Sequence, residues 1–146
     1  MNVFSAMEIV ASGLAAERTR LNITSSNLAN AGTTRTPEGG PYRRRDPVFQ
    51  SEPVTSKFAE LLNDKIARQA HGVQTIDIVQ DQTPPRMVHD PGHPDADQNG
   101  FVAYPNISPV EEMVNMMMAA RAYDAGTTAM RMISGMASSA LNIGKG

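Results

Sequence analysis

Cysteine is absent from this 146-residue chain, and so is tryptophan. The first absence excludes a disulfide framework, thiol catalysis and any cysteine-ligated metal centre. Aromatic residues make up only 5%, so a compact core built from this chain is lean in large side chains. No apolar run approaches the roughly 18 residues that a membrane span requires, and no direct membrane insertion is expected. A strong excess of one charge is also missing. The formal net charge of -2 supplies no general attraction to nucleic acid or to a membrane surface. There is no G-x-S-x-G turn, no glycine-rich phosphate loop and no convincing catalytic dyad. The chain is therefore expected not to be an enzyme, with no catalytic residue, no cofactor and no metal. Met1 to Leu14 contains no Lys or Arg, and Glu8 interrupts its apolar residues, which argues against a cleaved secretory signal.

Three motifs imitate binding sites. Asp95 to Gly100, "DADQNG", matches the opening of a calcium loop, but the twelfth position is Asn106 and Pro91 and Pro94 forbid an entering helix. A turn that feeds a strand at Phe101 is the expectation. His89 and His93 are four apart, yet Asp90, Pro91 and Gly92 break any helix between them. The arginines Arg43 to Arg45 have Glu38, Asp46 and Glu52 as neighbours, which favours a solvated or interface loop over phosphate binding.

What is present is periodicity at both ends. Phe4, Met7, Ala11, Leu14, Arg18, Leu21, Ser25 and Leu28 follow alternating steps of three and four. Met7, Leu14, Leu21 and Leu28 fill one heptad seam of a helix expected from about residue 3 to 30. At its end the stretch "SSNLANAGTTRT" places Asn27 and Asn30 one turn apart, although asparagine is a poor residue inside a helix. Their amides either cap the last carbonyls, with Asn30 or Gly32 in left-handed geometry, or bond across to a neighbour.

The C-terminal segment opens with a capping box: Ser108 as N-cap, Pro109 at the first helical position and Glu111 three residues after the cap. One apolar seam runs through Met113, Met116, Ala120, Tyr123, Thr127, Met130, Ser134, Ala137 and Leu141. A second runs through Ala119, Ala122, Gly126, Ala129, Ile133, Met136, Ala140 and Ile143. Together they are wider than one partner helix needs. The small residues Ala122, Gly126 and Ala129 admit a close partner, and the methionines adapt to imperfect neighbours. A helical hairpin would cover part of this stripe and leave the remainder for a partner.

Between the ends, residues 36–53 are rich in Pro and Gly and read as an extended, turn-rich loop. The segment "SKFAELLNDKIARQAHG" has helical spacing, with strand and loop left open. "GVQTIDIVQD" reads as a strand, and "PPRMVHD" and "GFVAYPN" as two short ones. The fold class expected is α+β: long N- and C-terminal helices forming a coiled-coil layer, with a small β-rich module between them. The corresponding division is 1–33 with 108–146 as a discontinuous helical domain, and 34–107 as the loop and β module.

"SSNLANAGTT" resembles the S-x-N-L-A-N motif of the bacterial flagellar rod and hook protein superfamily. "PYRRRDPVFQ", "DPGHPDADQNGFVAYPN", "EEMVNMMMAARAYDAG" and "ALNIGKG" follow in order and resemble the FlgC-type proximal rod subunits, over nearly the whole chain. Gly126 departs from the Asn usual there. The resemblance implies a structural subunit of the basal-body rod that crosses the periplasm, exported uncleaved by the flagellum's own type III apparatus. It implies as partners other rod subunits, copies of the same chain, and the adaptor proteins of the MS ring and export gate. Its subunit interface would use Phe4, Met7, Leu14, Leu21, Asn27, Leu28 and Asn30 of the first helix. From the second it would use Met113, Met116, Met117, Tyr123, Met130, Ile133, Met136 and Leu141. The alternative is a secreted helical subunit or adaptor of a related type III secretion assembly, against which the β module speaks.

Overall fold

The computed structural model of the protein describes residues 3–54 and 70–144. Most of "SKFAELLNDKIARQAHG" lies outside the described residues. Helix α1 spans Val3–Ala29 and helix α2 Pro109–Ile143. Among the described residues four strands lie between them: β1 (Arg45–Pro53), β2 (His71–Gln80), β3 (Arg86–His89) and β4 (Phe101–Tyr104). They form two separate antiparallel ribbons, β1 with β2 and β3 with β4. The expected α+β architecture is found.

The N-cap and first-turn proline expected at α2 are found. Ser108 Oγ accepts the Glu111 N–H at 3.4 Å, and Pro109 occupies the first turn. The loop expected over 36–53 is only partly a loop, because its second half is the nine-residue strand β1. Pro47 and Pro53 sit in that strand. A two-stranded ribbon has only edge strands, and an edge tolerates proline because one side of each strand needs no ladder donor. A bulge between Val48 and Phe49 adjusts the register. The "DADQNG" segment is the expected turn: Asp97 Oδ1 accepts the N–H groups of Asn99 and Phe101, each at 2.8 Å, and Gly100 takes a left-handed φ of +77°.

Helix α1 is covered on two sides, by α2 and by the β1–β2 ribbon. Towards α2, Leu14 meets Gly126 so closely that a Cβ there would lie 2.9 Å from Leu14 Cδ2. Leu14 and Leu21 are half-buried. The fully buried column of α1 is instead Ala16, Ile23, Thr24 and Asn27. Ser12 donates to the Ile9 carbonyl at 2.7 Å and accepts the Val73 N–H of β2 at 3.0 Å. Arg20 lies over the Phe49 ring of β1, 5.2 Å from its centroid. Of the expected heptad only the position of Met7, Leu14, Leu21 and Leu28 is half-buried, whereas Phe4, Ala11, Arg18 and Ser25 are exposed, and a second stripe faces the ribbon.

The interior is small. Among the described residues, the buried apolar side chains are Ala16, Ile23, Tyr42, Val102, Pro105 and Ala119. On α2 Glu112 and Ala119 are buried, and Asn115, Met116, Ala120, Tyr123, Gly126, Thr127, Ala129, Met130, Ile133 and Ala137 are half-buried, so both expected seams contribute to the covered face. Val110, Met113, Val114, Met117, Met118, Met132, Met136, Leu141 and Ile143 are exposed.

Gly72 tests the docking of ribbon on helix. A Cβ there would lie 2.7 Å from Ser12 Oγ and 3.3 Å from Val54 Cγ2. Gly72→Ala should displace Ser12 and cost about 1–3 kcal/mol, as overpacking does. A chemical denaturation curve of the purified chain measures this, and pairing the change with Ser12→Gly should recover part of the loss.

A candidate assembly joint at the end of the first helix

The end of α1 carries the motif singled out in the sequence, and from Ser26 to Thr36 each polar side chain has a defined partner. Asn30 Nδ2 donates to the Ser26 carbonyl at 2.9 Å, and its Oδ1 accepts from Thr33 Oγ1 at 3.1 Å. Asn30 thus caps one of the last carbonyls through its side chain. Gly32 does not serve as a left-handed cap; the left-handed glycines among the described residues are Gly39, Gly40 and Gly100. Thr34 Oγ1 donates to Asp95 Oδ2 at 2.7 Å, which ties the chain leaving α1 to the loop between β3 and β4.

Asn27 does something else. It is 1% exposed, and its amide faces the backbone of Arg45 at the start of β1. Its Nδ2 donates to the Arg45 carbonyl at 2.8 Å, while its Oδ1 accepts the Arg45 N–H at 3.0 Å. The side chain pairs with Arg45 as a neighbouring strand would, which terminates the ladder without an orphan group. Nδ2 also donates to Glu112 Oε2 of α2 at 3.2 Å, and Oδ1 accepts from the Tyr42 hydroxyl at 3.1 Å. Both donors and both acceptor positions of the amide are therefore used. Since the single Tyr42 proton goes to Asn27, Ser26 Oγ donates to Tyr42 across 3.3 Å.

Glu112 is also 1% exposed. Its other oxygen accepts from Arg44 Nε at 2.7 Å, and Arg44 pairs in addition with Asp46. Burial alone would lower the Arg44 pKa, but the Glu112 hydrogen bond and the charges of Asp46 and Glu112 outweigh it and raise it. The buried carboxylate is thus held by a permanent cation and a neutral amide, as a charge removed from water must be. The arginine triplet does not act as one basic patch. Arg43 donates to Gln82 at 3.1 Å, Arg44 reaches inward, and Arg45 covers the Tyr42 ring at 5.6 Å from its centroid.

Sequence reasoning found Asn27 and missed Glu112, Arg44 and Tyr42. The signal for Glu112 was its position: it stands one turn before Met116 and a heptad before Ala119, on the covered face of α2. A charge on such a face implies a buried partner. The remaining expected interface residues divide by exposure. Phe4, Met113, Met117, Met136 and Leu141 are exposed, whereas Met7, Leu14, Leu21, Leu28, Asn30, Met116, Tyr123, Met130 and Ile133 are half-buried.

Two family models match the chain. Residues 7–35 match "Flagella basal body rod protein", and residues 98–143 match "Flagellar basal body rod FlgEFG protein C-terminal". The chain is 38% identical to the flagellar basal-body rod protein FlgC of Borreliella burgdorferi, over 100% of both chains. It is 38% identical to the FlgC of Bacillus subtilis, over 99% of this chain and 100% of that one. With the FlgC of Salmonella typhimurium the identity is 36%, over 99% and 98% respectively. The joint links the two matched segments, Asn27 lying in one and Glu112 in the other, through Tyr42, Arg44 and Arg45, which belong to neither.

Replacing Asn27 should be costlier than replacing Asn30. Asn27→Ala strands the Arg45 backbone pair, the Tyr42 hydroxyl and one Glu112 oxygen, an expected loss of about 2–4 kcal/mol. Asn30→Ala leaves the Ser26 carbonyl its bond from the backbone N–H of residue 30, 3.0 Å away, and should lose about 1 kcal/mol or less. Asn27→Asp should be as damaging as Asn27→Ala, since it cannot donate and faces a second carboxylate. Denaturant titration of the three variants orders them.

Proposed function

The chain belongs to the FlgC family of flagellar basal-body rod proteins, and from that premise we propose how its helices build the rod. It is a structural, non-enzymatic subunit of the basal body, assembling with other flagellar rod components. The alternative role in a related secretion assembly is not favoured, because the full-length relatives are rod proteins.

The observation that carries the assembly mechanism is the mismatch between a small interior and long apolar helices. Intrachain packing leaves Met113, Met117, Met132, Met136 and Leu141 exposed. An apolar surface of this extent is normally covered by a partner, and burying one such side chain contributes roughly 2 kcal/mol. Residues 1–33 with 108–146 then act as the assembling layer. Residues 34–107 form an outer module fastened to that layer through Asn27 and Glu112. The interface consists of Phe4, Met113, Met117, Met136 and Leu141 directly. Met7, Leu14, Leu21, Leu28, Met116, Tyr123, Met130 and Ile133 contribute their exposed edges, and Asn27 and Asn30 act by holding the helix end in place.

Partners on this reading are copies of the same chain, other rod subunits, and adaptor proteins at the MS ring and export gate. Export through the flagellum's own apparatus to a rod in the periplasm belongs to the same proposal.

Leu14→Asp separates assembly from synthesis. It sets a carboxylate against Gly126 at a cost of several kcal/mol, which Arg18, one turn further along α1, offsets only in part. The variant should be made, fail to enter the rod and leave cells without hooks. Basal bodies that contain it at the normal level would overturn the helix-layer mechanism.

A further inference from the structure

The faces of α1 and α2 that point away from the hairpin match each other in size and in charge. Glu8, Ala11, Ala15 and Arg18 are exposed on α1, spaced three, four and three. Glu111, Val114, Met118 and Arg121 are exposed on α2, spaced three, four and three. Ten residues separate the two charges on each helix, about 15 Å at 1.5 Å per residue. Among the described residues none of the four charges has an ion-pair partner; the ion pairs found are Arg20–Glu17, Arg35–Asp95, Arg44–Asp46 and Arg44–Glu112.

We propose that α1 of one copy docks antiparallel on α2 of a second copy, with Glu8 on Arg121 and Arg18 on Glu111. In this register Met118 lies over Ala11 and Val114 over Ala15, so each large side chain meets a small one. The reverse orientation fails on charge: with Glu8 on Arg121, a parallel alignment sets Arg18 against Arg131. The contact is distinct from the one inside the chain, where Leu14 meets Gly126 and Asn27 meets Glu112. Relative to that pairing, the neighbour is displaced by about ten residues, or about 15 Å along the axis. Each copy offers one face to each of two neighbours, so the contact is heterologous and propagates as a ring or a helix rather than closing as a dimer. The inference rests on the rod-subunit reading and adds to it the partner, orientation and register.

Charge exchange tests it in a strain whose own copy of the gene is deleted. Glu8→Arg and Arg121→Glu each place like charges together at every repeat and should each reduce hook-bearing cells by about tenfold or more. The double variant E8R/R121E restores the pairs with reversed sign and should recover most hooks. E8R/R131E should not, which excludes repair within the chain. Because the native chain has no cysteine, Ala11→Cys with Met118→Cys supplies a direct readout. Oxidised basal bodies should give a ladder of linked copies on a non-reducing gel, absent for either single variant. Normal hooks with E8R, no recovery in E8R/R121E, or assembled rods without a ladder would each overturn the docking register and leave the rod role intact. A deletion strain that still builds its rod would overturn the rod role, and this contact with it.

Discussion

Asn27 sits where three segments of the chain must meet, and the geometry of the protein depends on its amide. A buried side chain that can give two hydrogen bonds and receive two is able to end a β-ladder, hold a carboxylate and fix a tyrosine at once. Asn27 does all three, with partners at 2.8–3.2 Å. Aspartate lacks the donors, and glutamine has the same groups one methylene too far out. The asparagine costs some helix propensity at the end of α1, and the joint repays it by setting α1, α2 and β1 in one arrangement.

The buried Glu112 depends on that arrangement. A carboxylate taken out of water is tolerated only when its oxygens are satisfied, and here one oxygen faces Arg44 and the other Asn27. Such a joint specifies geometry more than it adds stability. That suits a subunit whose small interior of Ala16, Ile23, Tyr42, Val102, Pro105 and Ala119 supplies little shape information by itself. The apolar surface that would make a larger core is kept on the outside of both helices, where neighbours complete it.

Small residues decide how closely the parts approach. Gly126 lets Leu14 lie directly on α2, and Gly72 lets β2 reach Ser12 of α1. Both are contacts in which a methyl group would already collide. The bare backbone serves packing at these two positions, in contrast to Gly100, where the turn before β4 needs a left-handed conformation.

Local rules were sufficient for much of this protein. The steps of three and four from Phe4 to Leu28, the Ser108–Pro109–Glu111 cap and the Asp97 turn are short-range patterns, and each appears in the structure where the sequence placed it. The motif around Asn27 was legible as unusual for the same reason, since asparagine inside a helix violates a local preference. Its partners were not legible, because Arg45 is 18 residues away and Glu112 is 85 away. Strand β1 was hidden by Pro47 and Pro53, residues that oppose a strand until an open ribbon edge is known to accept them. The seams on α2 were found as two stripes, but how much of them is covered is set by α1, where Leu14 meets Gly126. Hydrophobic period and capping act within a few residues of chain, whereas the choice of partner for a buried amide, carboxylate or glycine is made by elements that meet only when the chain has folded.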